Sequence, residues 1–216
     1  MSDYLNNGSD IYRESFRIIR DEADLERFPE DVERVVVRMI HASADPSIAS
    51  DIAFTPGIVT ACHKALAEGA PILCDSSMTA TGIIRSRLPR DNVIVCHIKE
   101  PALATLAAAK NVTKASAAVD LWAEQDNLDG AIVAIGNAPT ALLRLLEVAH
   151  ETGQRPAGII GIPVGFVGAA ESKQALVDDD LGLDYLTLLG RRGGSAITVA
   201  AVNAIASRAE TSNDNR

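Results

Sequence analysis

Ala131–Glu147 reads AIVAIGNAPTALLRLLE, and a little further on Gly158–Ile162 reads GIIGI. Each apolar run is short, continuous and rich in β-branched residues, as in a parallel strand covered on both faces. Pro139 opens the Ala/Leu-rich segment between them, which predicts a helix over Ala138–His150. Strand, helix and strand at this spacing make a βαβ unit.

Outward from that unit the same alternation recurs. Strands are predicted at Asp51–Phe54, Ile72–Cys74, Val93–Ile98 and Tyr185–Leu189. Helices are predicted at Gly57–Glu68, Thr79–Leu88, Glu100–Lys110, Thr113–Gln125, Ala169–Val177 and Gly194–Ser207. The expected fold is α/β: a three-layer sandwich with a mostly parallel sheet flanked by helices. No long linker interrupts it, so residues 1–216 are read as a single domain, with polar tails over about 1–9 and 209–216.

Phe28–Ser43, FPEDVERVVVRMIHAS, needs a decision between strand and helix. Three successive valines favour a strand, but Pro29 with Glu30 and Asp31 forms a helix start. Val32, Val35, Val36, Met39 and Ile40 then recur at helical spacing, which predicts a helix. On it Arg34, Arg38 and His41 share one side. His41 falls in the last turn, where the helix dipole is expected to favour its charged form.

Composition narrows the function. Hydrophobic residues make up 47%, enough for a packed core, while aromatics are only 4%, too few for stacking platforms that grip single strands. Twenty Lys and Arg face 29 Asp and Glu, a net charge of −9, which argues against a nucleic-acid partner. The longest apolar runs fall short of the roughly 18–20 residues that a membrane span requires. The start, MSDYLNNGSD, lacks signal-peptide character. Cys62, Cys74 and Cys96 are odd in number, form no CxxC pair and read as reduced, buried thiols. A cytoplasmic location is expected.

In an open parallel sheet ligands bind beyond the carboxyl ends of the strands. Four loops expected there are Asp75–Thr79, Gly136–Thr140, Pro163–Gly168 and Gly190–Ser195, all rich in small and polar residues. Each is expected to present backbone N–H groups to a carboxylate or phosphate, though such residues also simply make turns. The glycines of GIPVGFVG do not make GxGxxG, and GK[ST], GxSxG and HExxH are absent. His63, His97 and His150 lack ligand spacing, so no metal or organic cofactor is indicated. His63 and His150 are expected at the surface.

Six strings go further: IYRESFRIIRDEADL (Ile11–Leu25), VVVRMIHASAD (Val35–Asp45), GAPILCDSSMTATGI (Gly69–Ile83), AIGNAPTALLRLLE (Ala134–Glu147), IGIPVGFVGAAESKQAL (Ile160–Leu176) and GRRGGSAITVAAVNAIA (Gly190–Ala206). Together, in this order over about Ile11 to Ile205, they resemble the precorrin-8X methylmutases. The resemblance implies an enzyme of corrin ring assembly that moves a methyl group from C-11 to C-12 of precorrin-8X, giving hydrogenobyrinic acid. It implies a homodimer with a shared pocket, no cofactor, and His41 as proton donor or acceptor. Such a shift needs only a redistribution of electron density, which protonating the macrocycle next to the migrating centre supplies; imidazole suits that near neutrality.

The acetate and propionate arms of such a ring call for Ser15, Arg38, Ser77, Thr79, Asn137, Thr140 and Ser195. Its apolar faces call for Met78, Val164, Phe166 and the Gly193–Gly194 backbone, and the acidic residues are expected to face away. Two departures stand out. Thr113-Lys114 stands where the family commonly has Thr-Arg, and Ser43–Pro46 replaces a more glycine-rich loop. Three other readings remain: the same reaction on a cobalt-containing ring, a non-catalytic tetrapyrrole carrier, and a generic nucleotide- or phosphate-binding domain.

Overall fold

In the computed structural model the described residues are 6–125, 128–207 and 209. Their strands are β1 (Ile52–Phe54), β2 (Ile72–Cys74), β3 (Ile94–Val95), β4 (Ile132–Ile135), β5 (Gly158–Gly161) and β6 (Tyr185–Leu188). They form one sheet in the order β1-β6-β5-β4-β2-β3. All neighbours are parallel except β1, which runs antiparallel to β6 with Ile52 opposite Leu188.

The helices are α1 (Gly8–Glu22), α2 (Glu30–Ser43), α3 (Ile58–Ala67), α4 (Ser77–Gly82), α5 (Pro101–Lys110), α6 (Lys114–Glu124), α7 (Pro139–Thr152), α8 (Ala169–Asp178) and α9 (Ser195–Ala206). Alternate strand residues feed two cores. Ile72, Cys74, Ile132, Ala134, Ile160, Leu186 and Leu188 pack under α2, α3 and α9. Leu73, Val133, Ile135 and Ile159 face the other way, against α6, α7 and α8. Because successive strand side chains point to opposite faces, continuous apolar strands produce a three-layer sandwich.

Phe28–Ser43 settles as helix from Glu30 onward, with Val32, Val35, Val36, Met39 and Ile40 all buried. Other boundaries shift. The strand expected over Val93–Ile98 shrinks to Ile94–Val95 at the sheet edge, where only β2 can pair with it. The helix expected over Thr79–Leu88 starts earlier, with Ser76 Oγ accepting from Thr79 N, and stops at Gly82. There Asn203 accepts from Ile84 N and donates to Gly82 O, so α9 takes over the backbone groups.

The expected tails are shorter. Asn7 caps α1, which begins at Gly8, and Arg87 reaches the carbonyl of Ala209. The outer parts of both tails, 1–5 and 210–216, lie outside the described residues. The Ala-rich α6 and α9 are largely buried within the chain itself.

Candidate active site

Strands β2, β4, β5 and β6 all end at one edge of the sheet. Because β1 is antiparallel, the chain enters it at that same edge. Residues Ala44–Asp51, which follow α2, therefore bring the C-terminal end of α2, and His41 with it, to the edge where ligands bind in such folds.

His41 Nδ1 lies 2.8 Å from Ser15 Oγ, joining α1 to α2. The ring meets Tyr12 at 5.2 Å and Phe16 edge-on at 5.4 Å. Burial lowers the His41 pKa and the Arg38 charge lowers it further, so the imidazole is held neutral more than its free counterpart. Both effects work against the helix-dipole expectation of a favoured charged form. His41 and Ser15 line an open groove of about 370 Å³ with Ile18, Glu22, Ala44 and Pro46. Arg38 lies with its guanidinium 5.3 Å from the Phe16 ring and 5.9 Å from Tyr12, packed on the aromatics that frame His41.

A hydroxyl cluster lies where β2 runs into α4 and α9 begins. Ser195 Oγ sits 3.2 Å from Ser76 Oγ and 3.1 Å from Thr79 Oγ1. Gly136 makes room for it: a Cβ there would come within 2.7 Å of Ser195 Cα and 3.0 Å of Thr79 Oγ1. Thr79 is fully buried, so it orders the cluster and does not itself face solvent.

The Gly136–Thr140 loop departs from expectation. Its N–H groups at Gly136, Asn137 and Ala138 donate to the buried Asp75 carboxylate at 3.1, 2.8 and 2.7 Å. An internal anion already occupies the position expected to receive a ligand carboxylate. Burial pushes the Asp75 carboxyl up and those N–H bonds pull against it. The Asn137 side chain stays exposed, while Ser77 is half-buried. Thr140 points elsewhere, its hydroxyl 2.7 Å from Thr113 Oγ1 in a groove between α5, α6 and α7. Lys114 is exposed.

The last two loops are stapled together. Gly165 N donates to Arg191 O and Gly194 N to Ile162 O. Gly193 (φ +158°) is so close that a Cβ would meet Ile162 O at 2.5 Å and Pro163 O at 2.6 Å. The staple presents Val164, Phe166 and Val167 to solvent, with Phe166 85% exposed and the Arg191 guanidinium 5.5 Å from its ring. Met78 is exposed as well. Large exposed apolar side chains grouped on one edge mark a contact surface.

The sheet-edge acids do not all face away. Asp45 and Asp51 both bind Arg192, which neutralises them, and Glu22 lines the His41 groove. Arg192 and Lys173, Asp75 and Tyr12 were not singled out from the sequence; single charged or aromatic residues there carry no periodic signal. His150 is exposed and paired with Asp179, while His63 is half-buried against expectation. Cys62 and Cys74 are buried and Cys96 half-buried; all three are free.

The family model described as precorrin-8X methylmutase matches residues 10–208. The chain belongs to the precorrin-8X methylmutase family. It is 48% identical over 204 residues to the precorrin-8X methylmutase of Sinorhizobium sp, covering 94% of this chain and 96% of that one. The cobalt-precorrin-8 methylmutase of Leptospira interrogans is 35% identical, covering 95% and 96%. A crystal structure of the precorrin-8X methylmutase from Thermus thermophilus superposes with a TM-score of 0.83 at 43% identity, covering 92% of this chain and 95% of that one. Membership makes this methylmutase an isomerase of cobalamin biosynthesis, one that shifts a methyl group within its substrate. Among its described residues no helix is long and apolar enough to cross a membrane.

Proposed function

We propose that the protein converts precorrin-8X to hydrogenobyrinic acid by the C-11 to C-12 methyl shift, with His41 moving the proton that drives it. The observation that carries this is the Ser15–His41 contact: Nδ1 is engaged, which leaves Nε2 as the nitrogen available to a ligand. A lowered pKa suits a group that takes a proton and returns it, since its acid form is then the stronger donor. The ring's apolar faces would rest on Met78, Val164, Phe166 and the Gly193–Gly194 backbone. Its carboxylate arms would meet Ser77, Asn137, Ser195 and Arg38. The metal-free substrate is favoured because identity is higher to relatives named for it than to those named for the cobalt form.

The chain is proposed to work as a single cytoplasmic domain in a homodimer, with the pocket completed by the second copy. The groove at His41 is open, and Val167 in the Pro163–Gly168 loop is 89% exposed, as a surface awaiting cover would be. Neither nucleic acid nor membrane enters this reading. Sedimentation equilibrium at micromolar concentration should give the dimer mass; a monomer contradicts it.

The test of the reaction is an absorbance titration with precorrin-8X, run beside the cobalt-containing ring. His41→Ala should still bind, since affinity comes from many contacts, while its single-turnover rate falls by about a hundredfold or more. His41→Asn and His41→Gln should do no better, because neither donates a proton. A folded mutant turning over near the wild-type rate refutes the role of His41. Binding without conversion by the wild-type chain favours a carrier.

A further inference from the structure

Lys173 is a charged side chain where such groups are rarely found. It lies on α8 with no exposed surface, and its Nζ donates to the main-chain carbonyl of Arg192 at 2.7 Å. Burying an ammonium is costly unless it is hydrogen-bonded or paired. Packing alone therefore does not account for a lysine here.

The carbonyl it holds belongs to the residue with the widest reach at the sheet edge. Arg192 Nη1 donates to Asp45 Oδ2 at 2.5 Å and to Ser47 Oγ at 2.8 Å, and Nη2 donates to Asp51 Oδ2 at 2.7 Å. Asp45 and Asp51 bracket the turn between the end of α2 and β1. The Asp51 charge also acts on Lys173, so two cations and two anions form one chain from α8 to the helix end that carries His41. The planar guanidinium suits this job, since its fork fixes both carboxylates at once. On the same loop, Gly193 and Gly194 are wedged against Ile162 and Pro163, and the Arg191 guanidinium lies 5.5 Å from the Phe166 ring.

We propose that Lys173 and Arg192 are positioning residues of the methylmutase site, Lys173 holding the main chain of the Gly190–Gly194 loop and Arg192 locking that loop to the segment after His41, so that the ring-contacting surface and the imidazole keep a fixed spacing. This rests on the functional reading above. Neither side chain is assigned contact with the reacting atoms; they act through the loop and through Asp45.

The test compares Lys173→Met, which keeps volume and removes the donor, with Lys173→Gln, which restores an N–H donor on a side chain one bond shorter. Each is measured for KM and kcat with precorrin-8X, for Kd with hydrogenobyrinic acid, and for thermal midpoint. For Lys173→Met we expect KM and Kd to rise about tenfold with kcat within about threefold, the loss expected when a charge-assisted hydrogen bond disappears. Its midpoint should move by only a few degrees, because the desolvated charge that is lost offsets the Arg192 carbonyl left without its donor. Lys173→Gln should recover part of the binding.

A Lys173→Met protein with KM and Kd within about threefold of wild type overturns the proposal. So does a midpoint that falls in step with KM and is not recovered by Lys173→Gln, since that is the mark of packing alone. Should Lys173→Met not fold, Arg192→Lys decides: its side chain is 41% exposed, so folding is safe, and an unchanged KM overturns the proposal. If wild type converts precorrin-8X while the variants are unaffected, only the positioning role falls. If wild type neither binds nor converts it, the functional reading falls and takes this inference with it.

Discussion

Ser15 Oγ stands 2.8 Å from Nδ1 of His41, a contact between residues on different helices that sets which imidazole nitrogen is left for a ligand. The same turn of α1 supplies Tyr12 and Phe16, which hold the ring from two sides. One helix thus fixes both the orientation of the ring and the partner of its inner nitrogen.

Removing that partner should slow catalysis without abolishing binding. One neutral hydrogen bond is worth about 1 kcal/mol, so Ser15→Ala should cut the single-turnover rate by about three- to tenfold. Binding of hydrogenobyrinic acid should stay near wild type, and Ser15→Thr should recover part of the rate. An undiminished rate in Ser15→Ala would show that the aromatic frame alone orients the ring.

Arg38 tunes His41 by charge. Burial is the first cause of the lowered His41 pKa and the Arg38 cation the second, so removing the cation makes protonation easier. Arg38→Met should therefore move the His41 titration to higher pH. The imidazole C2 proton resonance reports this directly, and the acidic limb of the pH–rate profile should move the same way. A shift to lower pH contradicts the assignment.

Asp75 ties β2 to the start of α7. Replacing it with Ala leaves the N–H groups of Gly136, Asn137 and Ala138 without their acceptor. The expected loss is about 2–3 kcal/mol of unfolding free energy, read from urea denaturation. The Thr79 hydroxyl and the Ser195 main chain pack against the same Gly136, so weaker product binding should accompany it.

Asp120 makes acid stability measurable. Burial raises its pKa, but hydrogen bonds from Lys110 and Arg144 outweigh that and leave it below the ordinary carboxylate value. A carboxyl depressed in the folded state contributes stability that is present above its unfolded pKa and is lost as pH falls through the folded one. Wild type should lose this contribution below about pH 4. Asp120→Asn should be less stable at pH 7 and show a shallower acid limb; parallel curves for the two proteins would refute the claim.

The layered fold was legible in the sequence because its strands are short apolar runs and its helices carry periodic stripes. The α2 stripe outweighed three valines for a physical reason: five buried positions at helical spacing need one face of one helix. Residues whose environment comes from distant chain were not legible. The boundaries at Gly82 and Val95 depend on Asn203 and on having a single neighbouring strand. Of the residues expected to meet ligand, Ser15 reached His41, while Thr140 turned to Thr113 and Thr79 became buried.

By itself the sequence determined the alternation of strands and helices, the two-sided burial of the sheet, the absence of familiar cofactor motifs and the placing of His41 at a helix end. These follow from local periodicity and residue chemistry, which act over a few neighbouring positions. Only the tertiary structure decided that β1 runs antiparallel and so carries the end of α2 to the ligand edge. It alone set the internal carboxylate of Asp75 in the α7 loop and threaded Lys173 and Arg192 beneath the His41 segment. Those contacts join residues as many as 147 positions apart, and no local pattern encodes a partner that distant.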